Sequence, residues 1–553
     1  MGSTERKVFV NGRVFTSRDR DATLHEAMVI GDAVEFVGDA QQARAWVHDK
    51  PHTEIDLRGK VVLPGLIDSH THLVMMGASM LKLDMLNLSV KEVQAKLRDA
   101  LQPDTKCLLG RSYLLDALGV PPHRQLLDEV VGADVAVFID SADLHSCWLS
   151  SGALKAIGVD ETTPDPAGGA FVRDTQGRLT GLCLETAVTE YVWPYVASLA
   201  TLEDRIGFLQ TAFDEYLAVG VTGVVDMAMN DIDLAALETL YDRQGSLPLR
   251  VAAHWLITPG GTPESRRDCV LTAARHRDRL QDRPWLQMVG IKIISDGVVD
   301  SCTAYLTEPY ASGATAEPIW AKDHLDPVVL QADSLDLQIA VHAIGDAASS
   351  QALDAIENAI RVNGDRPRRR HRLEHLEVVT QESISRLARL GVVASLQPVH
   401  ADPVYVPNWR HVLGEDARCD RAFPWSEYVE HNAHVAFGSD APTAPHHCFP
   451  NMFTATTRQS GVNPKLAPSA DPRIQSLERF CVSLENSIRF YTAGAAHSIR
   501  REGSLGQIQQ GYSADFCVLS IDPFRDGVVT LREAQKGVEE TWIQGRQVYR
   551  RDA

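Results

Sequence analysis

At 553 residues the chain exceeds what one simple core holds and is expected to carry two or more domains. Hydrophobic residues make up 44% and charged residues 23%, the balance of an ordinary globular protein, while a formal net charge of -19 argues against nucleic acid and anionic membrane as partners. No window approaches the roughly 18 apolar residues of a membrane span.

The opening Met-Gly-Ser-Thr-Glu-Arg-Lys lacks the apolar stretch of a signal peptide, and Arg6 stands where a myristoylation signal has Ser or Thr. The nine cysteines are an odd number without Cys-x-x-Cys spacing and read as reduced thiols, so the expected location is cytoplasmic. Residues 7 to 58 then alternate in the manner of antiparallel strands, with Asn11-Gly12 as a hairpin signal. Ala514–Leu519 and Val538–Tyr549 alternate likewise near the other end. Residues 1–58 and 500–553 are therefore expected to form one small β-sandwich.

Between them, residues 59–499 alternate apolar strand-like runs with helical periodicity, the pattern of a parallel α/β fold. The expected strands are Val61–Ile67, Gly223–Met227, Leu249–Leu256, Met288–Ile294, Leu337–His342, His371–Leu376, Val392–Gln397 and Val435–Gly438, with helices such as Arg205–Val219 and Ser349–Val362. Eight such runs fit a TIM-like (β/α)8 barrel. The long gap after the first strand is read as an inserted α+β subdomain over residues 75–215, containing a strand at Ala133–Ile139 and a hairpin over residues 166–178.

Chemistry concentrates at the strand ends. In Leu63-Pro-Gly-Leu-Ile-Asp-Ser-His-Thr-His72 the period of two puts His70 and His72 on one face, half of a transition-metal site. Alone, His-x-His is weak evidence and is more often two surface histidines. Four further groups end later strands: Lys292 in Gly290-Ile-Lys-Ile-Ile-Ser-Asp-Gly297, His342 in Ala340-Val-His-Ala-Ile-Gly-Asp346, His375 in Arg372-Leu-Glu-His-Leu-Glu377, and Asp440 in Ala436-Phe-Gly-Ser-Asp-Ala-Pro442. A barrel would gather them at one mouth. Burial among Ile291, Ile293 and Ile294 would lower the Lys292 ammonium pKa, so a neutral amine that adds CO2 to form a metal-bridging carbamate is one reading. A plain ion pair with Asp296 is the other.

These segments resemble the amidohydrolase superfamily, and within it the YtcJ-like branch that includes N-substituted formamide deformylases. Thr303-Ala-Tyr-Leu306 and, in the insertion, His145-Ser-Cys-Trp-Leu-Ser-Ser-Gly-Ala-Leu154 and Gly168-Gly169 through Gly181 with Glu185 also match that branch. The resemblance implies His70 and His72 on one metal shared with Asp440, and Lys292 as a carbamate bridging to a second metal on His342 and His375. The expected cofactor is thus two Zn2+ per chain. It implies a metal-activated hydroxide attacking a non-peptide amide, with a small acyl group such as formyl, and Asp440 as proton shuttle. Cys302 stands where many relatives carry Arg, so it and His145 are the candidate substrate contacts. Ester, lactam or carbamate hydrolysis, decarboxylation, one-metal deamination and a non-catalytic binding role are the competing readings. His342-Ala-Ile-Gly345 lacks the Glu usual in the deaminase branch. A small molecule is the expected partner, and a homodimer is left open.

Overall fold

The computed structural model describes residues 5–18, 22–142, 144, 146–166, 169–404, 406, 408–414, 417–463, 465–469 and 471–552. Two compact units emerge: residues 1–73, 213–441 and 445–553 in the first, and residues 74–212 with 442–444 in the second.

The first unit is built on eight parallel strands in chain order: β1 (Leu66–Thr71), β2 (Val221–Met229), β3 (Arg250–Leu256), β4 (Leu286–Ile294), β5 (Gln338–Ala343), β6 (Arg372–His375), β7 (Val393–Leu396) and β8 (His434–Phe437). A parallel bridge from Thr71 to Ala441 draws the two edges together into a nearly closed barrel. Small and branched residues fill its interior, among them Ile67, Val225, Ala252, Ala340, Val393 and Ala436. Their modest volumes let eight strands converge around one packed centre. Helices Asp231–Gln244, Pro263–Arg279, Lys322–Ser334, Asp346–Asn363 and Gln381–Leu390 follow β2 through β6 and supply the crossovers that parallel strands need.

The same unit contains two further sheets. One runs Arg546–Arg550, Val538–Ile543, Phe516–Leu519, Val61–Pro64, Arg13–Phe15, Leu24–His25; the other runs Val34–Gly38, Ala27–Ile30, Arg6–Val10, His52–Asp56. They share a core in which Phe9 meets Phe516 edge-on at 5.4 Å and Phe516 stacks on Trp542 at the same distance.

Two local expectations are corrected here. Asn11-Gly12 is not a hairpin: Arg6–Val10 pairs with Ala27–Ile30 and His52–Asp56, whereas Arg13–Phe15 pairs with Leu24–His25 and Val61–Pro64. Asn11 adopts the left-handed conformation that a hairpin turn would use (φ 55), but it turns the chain from one sheet into the other. The run Val61–Ile67 is likewise two strands. It breaks at Gly65, where a Cβ would fall 2.3 Å from Thr222 Oγ1, so only glycine lets the chain pass from the terminal sheet into β1.

The second unit is a six-stranded sheet ordered Gly169–Arg173, Leu179–Glu185, Ser146–Leu149, Ala136–Ser141, Cys107–Tyr113, Leu83–Asp84. Alternate residues of Ala136–Ser141 serve two cores, Phe138 with Leu149 and Phe171 on one face, Val137 and Ile139 with Trp148 and Leu127 on the other. Among the described residues no helix is long and apolar enough to cross a membrane.

Candidate metal centre

β1 delivers His70 at its end, and His72 follows one residue beyond Thr71. The chain leaving β8 is clipped to them by its backbone: Asp440 N donates to His70 O at 2.7 Å and His72 N donates to Ala441 O at 2.8 Å. Buried Asp68 ties both segments together by accepting from Ser439 N, Ser439 Oγ, His70 N and Tyr216 OH. Asp440 itself has φ 59, a strained conformation for a non-glycine residue that this surrounding network holds in place. Its Oδ1 stands 3.1 Å from His72 Nε2 and 3.3 Å from His70 Nε2. Burial would raise the Asp440 carboxyl, but His70, His72 and His375 outweigh it and hold it well below the usual carboxylate range.

β5 and β6 bring the next two imidazoles. The registered pair His342 and Glu374 share the inner face of the sheet, so strict alternation would turn His375 away. His375 (φ 75) and Leu376 (φ 54) both enter the left-handed region, and the twist returns the His375 ring to 4.4 Å from His342 and 5.0 Å from His70. Burial, helped by Lys292, lowers His342 to about 3; burial and His342 lower His375 well below the ordinary value. Neutral imidazole is the metal-binding form.

Lys292 lies on β4 registered with Ala340, facing the same interior, and is 2% exposed. Burial lowers its ammonium to about 8 against the opposing pull of Glu374 and Asp440. Asp296, the alternative partner for this lysine, accepts instead from the backbone N–H groups of Tyr305, Ile344 and Gly345. Burial raises its carboxyl to about 7, and its Oδ1 stands 3.4 Å from His342 Nε2.

The donor set fits a divalent cation. Ligand atoms of His70, His375 and Asp440 lie within 4.8 Å of one another, and ligands of one zinc stand roughly 3.3 Å apart because each bond is about 2.0–2.1 Å. Among the described residues His375 Nδ1 is buried with no hydrogen-bond partner, a cost of about 1–3 kcal/mol that a bound cation would offset. Sequence pattern missed the layer behind the ligands. Glu374 Oε2 lies 2.7 Å from His70 Nδ1, and Arg372 grips Glu374 at 2.5 Å while also donating to Ser69 O and Ser395 Oγ. That carboxylate fixes which His70 nitrogen faces Asp440. Glu374 is adjacent to His375 in sequence, and its place two residues from Arg372 on a strand was the available signal.

The remaining candidates fall differently. His145 lies outside the described residues. Cys302 sits in the loop after β4 in a left-handed conformation (φ 58), its thiol raised by burial and by Asp300.

Gly438 gives a first prediction. A Cβ there would lie 2.5 Å from His70 N and 2.7 Å from His70 Cβ. Gly438→Ala is therefore expected to displace β1 at the ligand, costing about 1–3 kcal/mol of stability and most of the bound metal. Thermal melts with elemental analysis of the variant check this; wild-type metal content would refute it.

The chain is 29% identical over 560 residues to YtcJ of Bacillus subtilis (strain 168), provisionally named an amidohydrolase, covering 98% of this chain and 99% of that one. It is 26% identical over 564 residues to the N-substituted formamide deformylase of Arthrobacter pascens, covering 98% of each. Its fold matches the crystal structure of an uncharacterized metal-dependent hydrolase from Pyrococcus horikoshii OT3 with a TM-score of 0.76 at 24% identity, over 94% of this chain and 98% of that one. The model of the amidohydrolase family matches residues 53–549, and the chain belongs to that family.

Proposed function

We propose that this amidohydrolase-family hydrolase cleaves a carbon–nitrogen amide bond outside peptides, with N-substituted formamides and similar small amides as the first substrates to examine. The observation that carries the reading is Asp440 Oδ1 flanked by His70 Nε2 and His72 Nε2 at 3.3 and 3.1 Å, with the His375 ring beside His70 and His342, and Lys292 buried on β4. His70, His72 and Asp440 would hold one Zn2+, and His342, His375 and a carbamylated Lys292 a second. Metal held there would supply Lewis acidity and a water acidic enough to attack at neutral pH.

The chain's own groups supply the rest. Asp440, a carboxylate throughout the working pH range, accepts the proton of the attacking water and returns it to the departing nitrogen. That return is what an amide needs and an activated ester does not, because an amine anion is a very poor leaving group. Glu374, which accepts from His70 Nδ1 at 2.7 Å, keeps the His70 ring in register during the cycle.

The test is a panel of N-substituted formamides, other small amides and aryl esters, with metal content measured alongside. Turnover of amides, abolished by chelation and restored by Zn2+, is expected. Ester turnover with no amide turnover would refute the reading, as would full activity in metal-free protein.

A further inference from the structure

The three isoleucines around Lys292 part company at the end of β4. Ile291 and Ile293 are buried, whereas Ile294 is 38% exposed. Strand register says where it points. Gly290, Lys292 and Ile294 stand beside Gln338, Ala340 and His342 of β5, and Ala340 belongs to the core inside the barrel. Registered residues of neighbouring strands share a face, so Ile294 projects to the inner side, one step beyond Lys292 and beside His342. On the other flank Lys292 is registered with Leu256, the partly buried last residue of β3. A single exposed isoleucine is ordinary on an outer surface. At the inner, C-terminal ends of β3 and β4, next to a candidate ligand, two aliphatic side chains form a wall that a reacting molecule meets.

The strand order fixes which part of that molecule it is. β4 lies four places from β8 in either direction round the nearly closed barrel, so Ile294 and Asp440 stand on opposite sides of one end. With the departing nitrogen at Asp440 to receive its proton, the acyl substituent of the carbonyl carbon is directed away from β8, toward β3 and β4. We propose that Ile294, with Leu256 beside it, is the acyl-side specificity residue: it contacts the acyl substituent, takes short uncharged apolar groups, and turns away those ending in a carboxylate or ammonium. This rests on the amide-hydrolase reading, whose proton route orients the substrate, and adds the acyl class to it. A charged acyl end would give up its hydration for a wall that offers no hydrogen bond.

The test measures kcat/KM for one amine acylated with formyl, acetyl, butyryl and succinyl groups, and for aryl esters of the same acids, in the metal-loaded enzyme, with bound metal measured on each variant. Butyryl is expected to exceed succinyl by at least about 10-fold in the wild type. Ile294→Ala is expected to raise the butyryl-to-formyl ratio by about 10-fold or more, and Ile294→Val by about threefold, the worth of room for added methylenes at an apolar site. A series that varies only the amine should shift by less than about twofold. Metal content should match wild type in both variants.

An equal change across the acyl series would overturn the inference, because that is what a merely structural side chain produces. A shift along the amine series instead, or a wild type that favours succinyl over butyryl, would overturn it too. So would loss of metal in Ile294→Ala, which would mean that the side chain holds Lys292 or His342 in place. If only the esters are cleaved, the amide reading falls by itself, and the butyryl-to-formyl ratio of the ester series in Ile294→Ala decides the inference separately.

Discussion

Asp440→Asn is expected to lower kcat on the amide substrate by about 10²- to 10⁴-fold while most of the metal stays bound. The substitution keeps the volume and leaves an oxygen to face His70 and His72, so the cage loses a charge and little of its shape. What disappears is the proton acceptor, since a carboxamide is not a base at any working pH. The carboxylate is buried, yet the imidazoles of His70, His72 and His375 keep it ionised well below the ordinary range, so no neutral fraction in the native enzyme resembles the variant. KM should move little, because the lost interaction acts on the proton in flight. Wild-type turnover by Asp440→Asn would remove the proposed role, and complete loss of metal would show that the residue matters first as a ligand.

How far the site could be read in advance depended on how local each signal was. His70 lies at the end of β1 and His72 follows just beyond it, a His-x-His spacing visible within three residues. Lys292, His342 and Asp440 end apolar runs, so their meeting followed once a parallel barrel was assumed. His375 was named from its strand, yet alternation alone would have pointed it away; the left-handed turn at His375 and Leu376 is what brings it in, and nothing in Leu-Glu-His-Leu announces positive φ at two bulky residues. Glu374 escaped because its meaning lies 304 residues away in His70. Asn11-Gly12 failed in the opposite sense, since a turn preference is local whereas the choice of partner strand is made by the whole terminal core.

Asp333→Asn is expected to destabilise the fold by about 3 kcal/mol at pH 7, although the residue is no part of the chemistry. Asp333 is 1% exposed at the end of helix Lys322–Ser334 and accepts from Arg369 Nε at 2.5 Å, His371 Nε2 at 2.9 Å and Asn363 Nδ2 at 2.8 Å. His371 Nδ1 in turn accepts from Ile339 N on β5, the strand that carries His342, so the network anchors the base of the site. Removing the carboxylate charge strands a buried guanidinium, because the Arg369 side chain is only 8% exposed. Burial would raise this carboxyl, but the bonds from His371, Arg369 and Asn363 prevail and depress it below the ordinary carboxylate range. A depressed carboxylate stabilises the fold fully above the unfolded pKa of about 3.9 and loses that contribution as pH falls toward the folded value. The gap between wild type and variant should therefore be widest at neutral pH and shrink below about pH 4. Denaturant melts across that range measure it. A difference within about 1 kcal/mol at pH 7, the worth of an exposed ion pair, would mean that solvent reaches Arg369 and that β5 is anchored by other contacts.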